Sequence, residues 1–484
     1  MELERLVEGL PILSIQGDIK RNITRVVYDS RRAVPGSLFV CIDGFKTDGH
    51  KFIQSALDNG ATALIVQKDV PRYEGVTVIR VPNTRYALAH AADAFFGHPS
   101  GAFTLLGITG TKGKTTTTYM IKSILEKAGQ TVGIIGTVAN SIGSEKIPAQ
   151  RTTPESLDLQ EMFDKMKDKA ANTVVMEVSS QGLKLNRVAA CEFSIAVFTN
   201  FSQDHIGGNE HPDMEDYFHS KMLLFSMAKR GLVNADSPYA KRVMESSKCP
   251  ILTYGIHNPA DIRATNVVTY ADRVEFHVEA PWFSMPVEVS VPGTFSVYNA
   301  LAAIGLAGMT GIPQEHIATG LKNIHIPGRA EVVPAPGRPW TVMIDYAHTP
   351  DSLENILSTV KSFAPGRLVS VFGCGGDRDR SKRPQMGQIS GEIADFTIIT
   401  SDNPRTEEPG AIIRDIEEGI KLTKGEYIVI EDRTEAIRYA MKNARSGDVI
   451  VLAGKGHETY QMFKDKTIHY DEREIVREIL DELE

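Results

Sequence analysis

Gly107-Ile108-Thr109-Gly110-Thr111-Lys112-Gly113-Lys114-Thr115-Thr116 is the stretch on which the reading of this chain turns. It follows the apolar run Phe103-Thr104-Leu105-Leu106 and precedes Thr117, Ile121, Ile124, Leu125 and Ala128, which recur at helical spacing. The pattern predicts strand, glycine-rich turn and amphipathic helix, with Gly129 as the helix stop. That is where a phosphate-binding loop belongs. Backbone N–H groups of the turn and of the helix N-terminus can cradle phosphate oxygens, Lys114 can reach the outer phosphates, and the Thr115 hydroxyl can ligate Mg²⁺. The common spacing G-x-x-x-x-G-K-[ST] would require glycine at the position of Ile108; here the glycines fall at 107, 110 and 113. A glycine-rich turn with an ordinary surface lysine is the alternative, and the flanking strand and helix argue against it.

Further strands are expected at 131–138, 173–178 and 194–199, so a parallel sheet covered by helices is the economical arrangement. Residues 262–292 read instead as an antiparallel patch. Mg²⁺ takes hard oxygen ligands beside phosphates. Glu177 closes the apolar run Val174-Val175-Met176, where the end of a strand would deliver a carboxylate next to the loop; a solvated strand-end glutamate is the alternative. His205 follows Asp204 just beyond the run 194–199, and a lone histidine is more often a satisfied core or surface residue than a ligand. The residues by themselves thus lead to an ATP-dependent enzyme and stop short of a substrate.

Outward from the loop, two Gly/Pro-rich breaks, Gly97-His98-Pro99-Ser100-Gly101 and the stretch from Ile326-Pro327-Gly328 to Pro334-Ala335-Pro336-Gly337, divide the chain. At 484 residues, about three domains are expected, and the breaks give 1–100, 101–329 and 330–484. The fold class is therefore α/β: a small N-terminal α/β domain, a central P-loop ATPase-type domain with a parallel sheet, and a C-terminal doubly wound, Rossmann-like domain. The first segment alternates apolar runs at 25–28, 38–42, 62–66 and 76–81 with a helical stretch at 52–59. The last alternates runs at 341–345, 368–372, 396–400, 427–430 and 448–452 with helical patterns, such as Leu353, Ile356, Leu357 and Val360 on one face.

Hydrophobic residues at 42% and charged ones at 24% are ordinary for soluble domains and exclude global disorder. A net charge of -8 disfavours capture of nucleic acid or acidic membrane by bulk charge, so any anionic ligand needs a local site. Cys41, Cys191, Cys249 and Cys374 are scattered and read as reduced core thiols. The N-terminus has no basic-then-apolar signal, and no apolar run reaches the roughly 18 residues of a membrane span. A cytoplasmic protein is expected.

The loop 109–116, with Glu177-Val178-Ser179-Ser180-Gln181-Gly182-Leu183 and Asp345-Tyr346-Ala347-His348-Thr349-Pro350, resembles the Mur ligases of peptidoglycan synthesis. The motifs fall in all three segments, and the shifted glycine spacing is similar to that family's own phosphate loop. The resemblance implies that 1–100 binds the UDP-sugar substrate, 101–329 binds ATP and 330–484 binds the incoming amino acid. Tyr28-Asp29-Ser30-Arg31-Arg32, with Pro35 to Val40, resembles the family's UDP-binding stretch and makes Ser30 a candidate contact. Thr152, Thr153, Ser179 and Arg187 match positions that grip the UDP-muramoyl dipeptide; Leu185 stands where some relatives carry Gln. Among residues around the phosphates, Gly110, Thr111, Lys112, Gly113, Lys114, Thr115, Thr116, Asn299, Arg329 and Asp345 are the implied ATP contacts. Lys221 matches a lysine that relatives carry as a carbamate; without the family it would be read as a helix-surface lysine. As a carbamate it would join Thr115, Glu177 and His205 in holding two Mg²⁺ ions, and Lys114, Glu177, His205 and Lys221 are the implied catalytic set.

Ser401-Asp402-Asn403-Pro404-Arg405 resembles the signature of the branch that selects meso-diaminopimelate. Its extra carboxylate, absent from lysine, calls for a guanidinium partner. Asp402, Asn403, Pro404 and Arg405, with Arg378, Gly454 and Glu458, are the implied contacts. The implied substrates are UDP-MurNAc-L-Ala-D-Glu, meso-diaminopimelate and ATP, with no nucleic-acid or membrane partner and a monomeric chain. Folylpolyglutamate synthase and the MurF-type ligase are enzymatic rivals, opposed by the UDP-type stretch and by the Asp402–Arg405 signature respectively. A regulatory P-loop ATPase that forms no bond is the rival from another class.

Overall fold

The structure is a computed structural model of the full chain. It describes all residues except 46, 148, 150, 205, 208, 209, 271, 325 and 484. Contacts divide the chain into two compact units, Met1–Arg263 with Val278–Ser284 and Tyr298–Gly320, and Ala264–His277 with Met285–Val297 and Leu321–Glu484.

In the first unit, α1 (Leu3–Leu6), β1 (Ser14–Gln16), β2 (Arg25–Val27), β3 (Ser37–Val40), α2 (Ile53–Asp58), β4 (Ala61–Val66), β5 (Thr77–Arg80) and α3 (Thr84–Phe95) form a small α/β layer. Its sheet order is β1-β5-β4-β3-β2, parallel except for β1. Strand alternation sorts the core in two. Leu38, Val40, Ala63, Ile65 and Ile79 pack with Leu88 and Ala91 of α3. Phe39, Leu64, Val66 and Val78 pack with Ile53 and Ala56 of α2. The apolar runs locate β2 to β5 and α2. They miss α3, whose buried face is mostly alanine and whose start is set by Asn83 accepting from the Arg85 and Tyr86 N–H groups.

The same unit continues through β6 (Thr104–Thr109), α4 (Lys114–Lys127), β7 (Val132–Ile135), β8 (Asn140–Ile142), β9 (Glu145–Ile147), α5 (Ser156–Asp168), β10 (Thr173–Glu177), α6 (Ser180–Lys184), β11 (Phe193–Phe198), α7 (Met214–Met227), β12 (Ala228–Asn234), α8 (Ala240–Ser246) and β13 (Ile251–Gly255). Strands run in the order β13-β12-β11-β6-β10-β7-β8-β9. They are parallel from β13 to β7, and β8 and β9 form an antiparallel edge. β6 lies between β10 and β11, which puts the loop after it at the centre of the sheet's C-terminal edge, where parallel α/β sheets bind ligands. α4 ends as the sequence predicts: Gly129 N–H reaches the Glu126 carbonyl and Gln130 N–H that of Leu125. β12 is not legible because Lys229 and Arg230 near its start are polar and exposed and only its second half is buried. Residues 262–292 contain β14 (Ile262–Thr269), β15 (Val274–Glu279) and β16 (Ser284–Val289), followed by α9 (Thr294–Met309) and α10 (Gln314–Lys322).

The second unit holds β17 (Glu331–Val333), β18 (Thr341–Asp345), α11 (Pro350–Phe363), β19 (Leu368–Phe372), α12 (Lys382–Ile393), β20 (Phe396–Ile399), α13 (Pro409–Ile420), β21 (Tyr427–Val429), α14 (Arg433–Lys442), β22 (Val449–Ala453), β23 (Tyr460–Met462), β24 (Thr467–His469) and α15 (Glu472–Glu482). Its main sheet runs β17-β18-β22-β19-β20-β21, parallel except for β17. All five sequence-expected strands are present. One face, with Val342, Ile344, Val369, Ile450 and Leu452, is covered by Ala436, Ile437, Val476 and Ile479 of α14 and α15. α11, α12 and α13 also pack on these strands, and Leu353, Ile356, Leu357 and Val360 of α11 are buried together as their spacing requires. The four cysteines are free; Cys41, Cys191 and Cys374 are buried and Cys249 is half-buried. Among the described residues no helix is long and apolar enough to cross a membrane.

Candidate active site

The loop between β6 and α4 is held from below by the segment that follows β11. Thr199 Oγ1 donates to the Lys112 carbonyl at 2.7 Å, the Asn200 side chain brackets Lys112 at 2.8 and 3.0 Å, and Thr111 N–H reaches the Asn200 carbonyl at 3.0 Å. Two glycines are obligatory here. Gly110 has φ +146°, and a Cβ on it would lie 1.9 Å from Thr199 Oγ1; Gly113 has φ +83°, and its Cβ would lie 2.4 Å from Asn299 Oδ1. Gly113 is the N-cap of α4 and offers no side-chain acceptor, so the opening N–H groups of a 14-residue helix face the loop without a side-chain cap. That is an anion-binding arrangement. Lys114 folds back over it, with Nζ donating to the Gly110 and Thr111 carbonyls at 2.9 and 3.0 Å. Thr111 Oγ1 lies 3.2 Å from Tyr217 Oη, and Thr115 and Thr116 are buried in the first turn. Asn299, on α9, sits beside Gly113 and accepts from Thr117 Oγ1 at 3.4 Å.

Glu177, at the end of β10, is not the solvated strand-end residue of the alternative reading: it is 1% exposed. Its Oε2 accepts from Thr115 Oγ1 and Thr137 Oγ1, both at 3.0 Å, and its Oε1 from Thr137 N–H at 3.1 Å. A hydroxyl and a carboxylate held this close at the mouth of the loop are hard oxygen donors of the kind Mg²⁺ takes, so the residues fit such an ion.

Lys221 on α7 is not the helix-surface residue that its local sequence without the family resemblance would suggest. It is 1% exposed, and its Nζ donates to the Gly110 carbonyl at 2.9 Å, 4.3 Å above the Tyr217 ring. Burial, and then the Lys114 charge, push this amine well below the ordinary lysine range, with Asp204 opposing. His205 lies outside the described residues.

Thr152, Thr153, Ser179 and Arg187 are brought together beyond β10. Thr153 Oγ1 donates to the Glu177 carbonyl at 3.1 Å and accepts from Ser179 N–H and Oγ at 3.0 and 3.1 Å. Thr152 Oγ1 lies 3.0 Å from Thr137 Oγ1. Arg187 is buried; it donates to the Thr153 carbonyl at 3.1 Å and to Glu155 at 2.9 and 3.0 Å. Leu185 caps the end of α6 through its backbone. Ser30 sits apart from this set, in a turn where Ser55 Oγ reaches its hydroxyl at 3.3 Å and Asn59 its carbonyl at 3.0 Å. The N-terminal layer is tied to α5 and the residue before it by Tyr28 Oη on Asp158 at 2.6 Å and Arg85 on Glu155 at 3.0 Å.

In the second unit the remaining positions gather at the C-terminal ends of β18, β19, β20 and β22. Asp345 closes β18; burial pushes its carboxyl up against the Arg329 charge and the Ala330 N–H, which bonds to it at 2.8 Å. Arg329 lies 4.9 Å over the Tyr346 ring. After β20, Asn403 Nδ2 donates to Glu458 at 2.8 Å, and Asn403 Oδ1 accepts from Met462 N–H at 2.9 Å. Asp402 Oδ2 is buried, has no hydrogen-bond partner among the described residues, and stands 2.8 Å from where a Cβ on Gly454 would be. Pro404 leads into Arg405, whose Nη1 donates to the Gly376 carbonyl at 2.8 Å. Arg378, on the loop after β19, is exposed, with Nη1 on the Asp377 carbonyl at 3.1 Å.

Thr137, Thr199, Asn200 and Glu155 belong to these networks and were not singled out by the sequence. The first three follow strand ends at one sheet edge; polarity just past an apolar run is the only local signal, and strand order is needed to read it.

Comparison with known proteins places the chain in a family. The Mur ligase middle domain matches residues 108–307, the Mur ligase glutamate ligase domain residues 328–456, and the Mur ligase catalytic domain residues 22–96. A UDP-N-acetylmuramoyl-L-alanyl-D-glutamate--2,6-diaminopimelate ligase of Caldanaerobacter subterraneus subsp. tengcongensis is 50% identical over 485 residues, covering all of both chains. The ligase of the same name from Clostridium botulinum is 46% identical over 488 residues, again covering all of both. A solved structure of a ligase of that name is 30% identical with a TM-score of 0.74, covering 100% of this chain and 99% of that one. The chain belongs to the Mur ligase family.

Proposed function

We propose that the chain is an ATP-dependent amide ligase that joins meso-2,6-diaminopimelate to UDP-N-acetylmuramoyl-L-alanyl-D-glutamate in peptidoglycan synthesis. The observation that carries the reading is the pairing, in one chain, of an uncapped phosphate loop bearing Lys114 with an Asp402–Arg405 turn at a second sheet's C-terminal edge. Full-length relatives with that ligase's name, 50% and 46% identical, support it.

In this reading residues 1–100 bind the UDP-sugar through Ser30, 101–329 bind ATP, and 330–484 bind the amino acid. Gly110, Thr111, Lys112, Gly113, Lys114, Thr115 and Thr116, with Asn299, Arg329 and Asp345, contact ATP. Thr152, Thr153, Ser179 and Arg187 orient the D-glutamyl carboxylate. That carboxylate attacks the γ-phosphate, ADP leaves, and the amine of diaminopimelate attacks the acyl phosphate carbon and expels phosphate. Two anions must meet, so Lys114 acts by offsetting charge and the loop by positioning. Mg²⁺, when bound, supplies further positive charge at the phosphates. Thr115, Glu177, His205 and Lys221 would hold two such ions, Lys221 as a carbamate. Burial, which lowers the Lys221 amine, favours the neutral form that can attack CO₂, forming the N–C bond and releasing a proton. Arg378, Asp402, Asn403, Pro404, Arg405, Gly454 and Glu458 receive the diamino acid, and Arg405 Nη2, which makes no hydrogen bond among the described residues, is available to its distal carboxylate. We read the chain as a cytoplasmic monomer.

Mass detection of the ligated product tests this, with ATP, the UDP-dipeptide and, in parallel, meso-diaminopimelate, L-lysine or L-glutamate. Product with diaminopimelate is expected; product with lysine alone would overturn the specificity argument.

A further inference from the structure

Lys455, in the second unit, has a side chain that is 0% exposed, and none of the roles above uses it. It follows Gly454, just past β22. Its Nζ lies 3.3 Å from Glu458 Oε2 and 3.4 Å from Asn403 Oδ1, and Asn403 Nδ2 closes the triangle on Glu458 Oε2 at 2.8 Å. Asn403 Oδ1 also takes the Met462 N–H, so the amide is fixed in one orientation: carbonyl toward the ammonium, NH₂ toward the carboxylate. The rings of Tyr460 and Tyr470 lie 5.7 and 5.8 Å from the ammonium. A charge removed from water must be paired, and Glu458 is the carboxylate that pairs this one.

The consequence falls on Glu458. Its Oε2 is taken by Asn403 and Lys455, while among the described residues Oε1 meets only the Tyr460 hydroxyl, at 3.4 Å. Acting on it are the Lys455 cation and the Asp402 carboxylate, and the Tyr460 and Tyr346 hydroxyls feel its charge in turn. A diamino acid brings ammonium groups, and an ionised Glu458 beside the partnerless Asp402 Oδ2 is the acceptor for one.

We propose that Lys455 is a positioning residue of the amino-acid site: its buried ammonium locks the Asn403 amide and keeps Glu458 ionised, so that Oε1 accepts an ammonium group of the incoming diamino acid. The inference rests on the ligase reading. Burial pushes the Glu458 carboxyl up from its ordinary value and the Lys455 charge is the leading opposing influence, so removing that charge raises Glu458 further. Its protonated form has no charge with which to hold an ammonium group.

The test compares the full-length wild type with Lys455→Gln and Lys455→Arg, measuring kcat/KM for meso-diaminopimelate from pH 5 to 9, with KM values for ATP and the UDP-dipeptide alongside. For K455Q the acid limb is expected to move up by about one pH unit or more, and KM for diaminopimelate to rise about tenfold. The other two KM values should stay within about twofold. K455R, which keeps the charge, should keep the limb at its wild-type position. A K455Q limb at the wild-type pH, or an equal loss for all three substrates, would overturn the proposal. If K455Q does not fold, Glu458→Gln decides, since an unchanged acid limb in E458Q would show that Glu458 is not the group that must be ionised. A wild type that makes no product with diaminopimelate would overturn the ligase reading instead.

Discussion

Arg405 occupies left-handed backbone at φ +54°, uncommon for a residue other than glycine, and its N–H is anchored on the Met462 carbonyl at 3.1 Å. The neighbouring turn is fixed by the bond from Met462 N–H to Asn403, so the guanidinium starts from a rigid base. Its Nη1 donates to the Gly376 carbonyl and reaches that of Asn403, and in the proposed reading Nη2 would meet the ligand. Arg405→Ala should therefore lower kcat/KM for meso-diaminopimelate by about 10- to 100-fold, from roughly 1.5–3 kcal/mol per charged hydrogen bond. L-lysine kinetics should change far less, so the ratio of the two specificity constants is the measurement. The residue scale is also where sequence reading was weakest. Glu177 and Lys221 are both 1% exposed, yet their local sequences are those of a strand end and a helix surface. Burial arises from β6, β10 and β11 lying side by side, and no local pattern encodes that.

The elements were more legible, because periodicity reports which side of a strand or helix meets the core. The five expected strands of the last segment and the strand, loop and helix around Lys114 follow from apolar spacing alone. β1, β8, β9 and β12 do not, being short, polar or half-exposed. The phosphate loop tests whether an element depends on single residues. Gly110→Ala places a methyl group against Thr199 Oγ1 and forces alanine to φ +146°, a strain of about 1–3 kcal/mol. ATP affinity should fall about 5- to 100-fold, readable by calorimetric titration, while the secondary structure seen by circular dichroism stays that of the wild type. A second device sits between α12 and α13. Arg383, 0% exposed, is clamped by Glu407 at 2.9 and 3.1 Å and by Asp415 at 2.7 Å. Glu407 also takes the Asp377 N–H at 2.7 Å, which ties in the loop bearing Arg378. Chiefly the hydrogen bonds from Arg383 lower the Glu407 carboxyl from 4.5 to about 2. A carboxylate lowered in the folded state stabilises it above the unfolded value and loses that contribution as pH falls through the folded one. The denaturation midpoint of the wild type should thus drop between pH 4.5 and 2 more steeply than that of Glu407→Gln, in parallel melts across that range.

At the scale of the molecule, a net charge of -8 and substrates that are mostly anionic look ill-matched until charge is read locally. In the proposed reading Lys114 with the uncapped N-terminus of α4, Arg187, and Arg405 with Arg378 would each meet a different ligand, so the average surface charge would decide none of these sites. The chain length that suggests three domains corresponds to two compact units, the N-terminal layer and the central sheet being joined through Tyr28, Arg85, Asp158 and Glu155. What unites these parts is the claim that ATP is consumed only to form an amide bond, and phosphate release measures that claim most directly. With ATP and Mg²⁺, the chain should release phosphate steadily only when the UDP-dipeptide and meso-diaminopimelate are both present, and stop when either is omitted. Steady release from ATP alone, indifferent to both, would contradict the account and make this a P-loop ATPase without a ligation step.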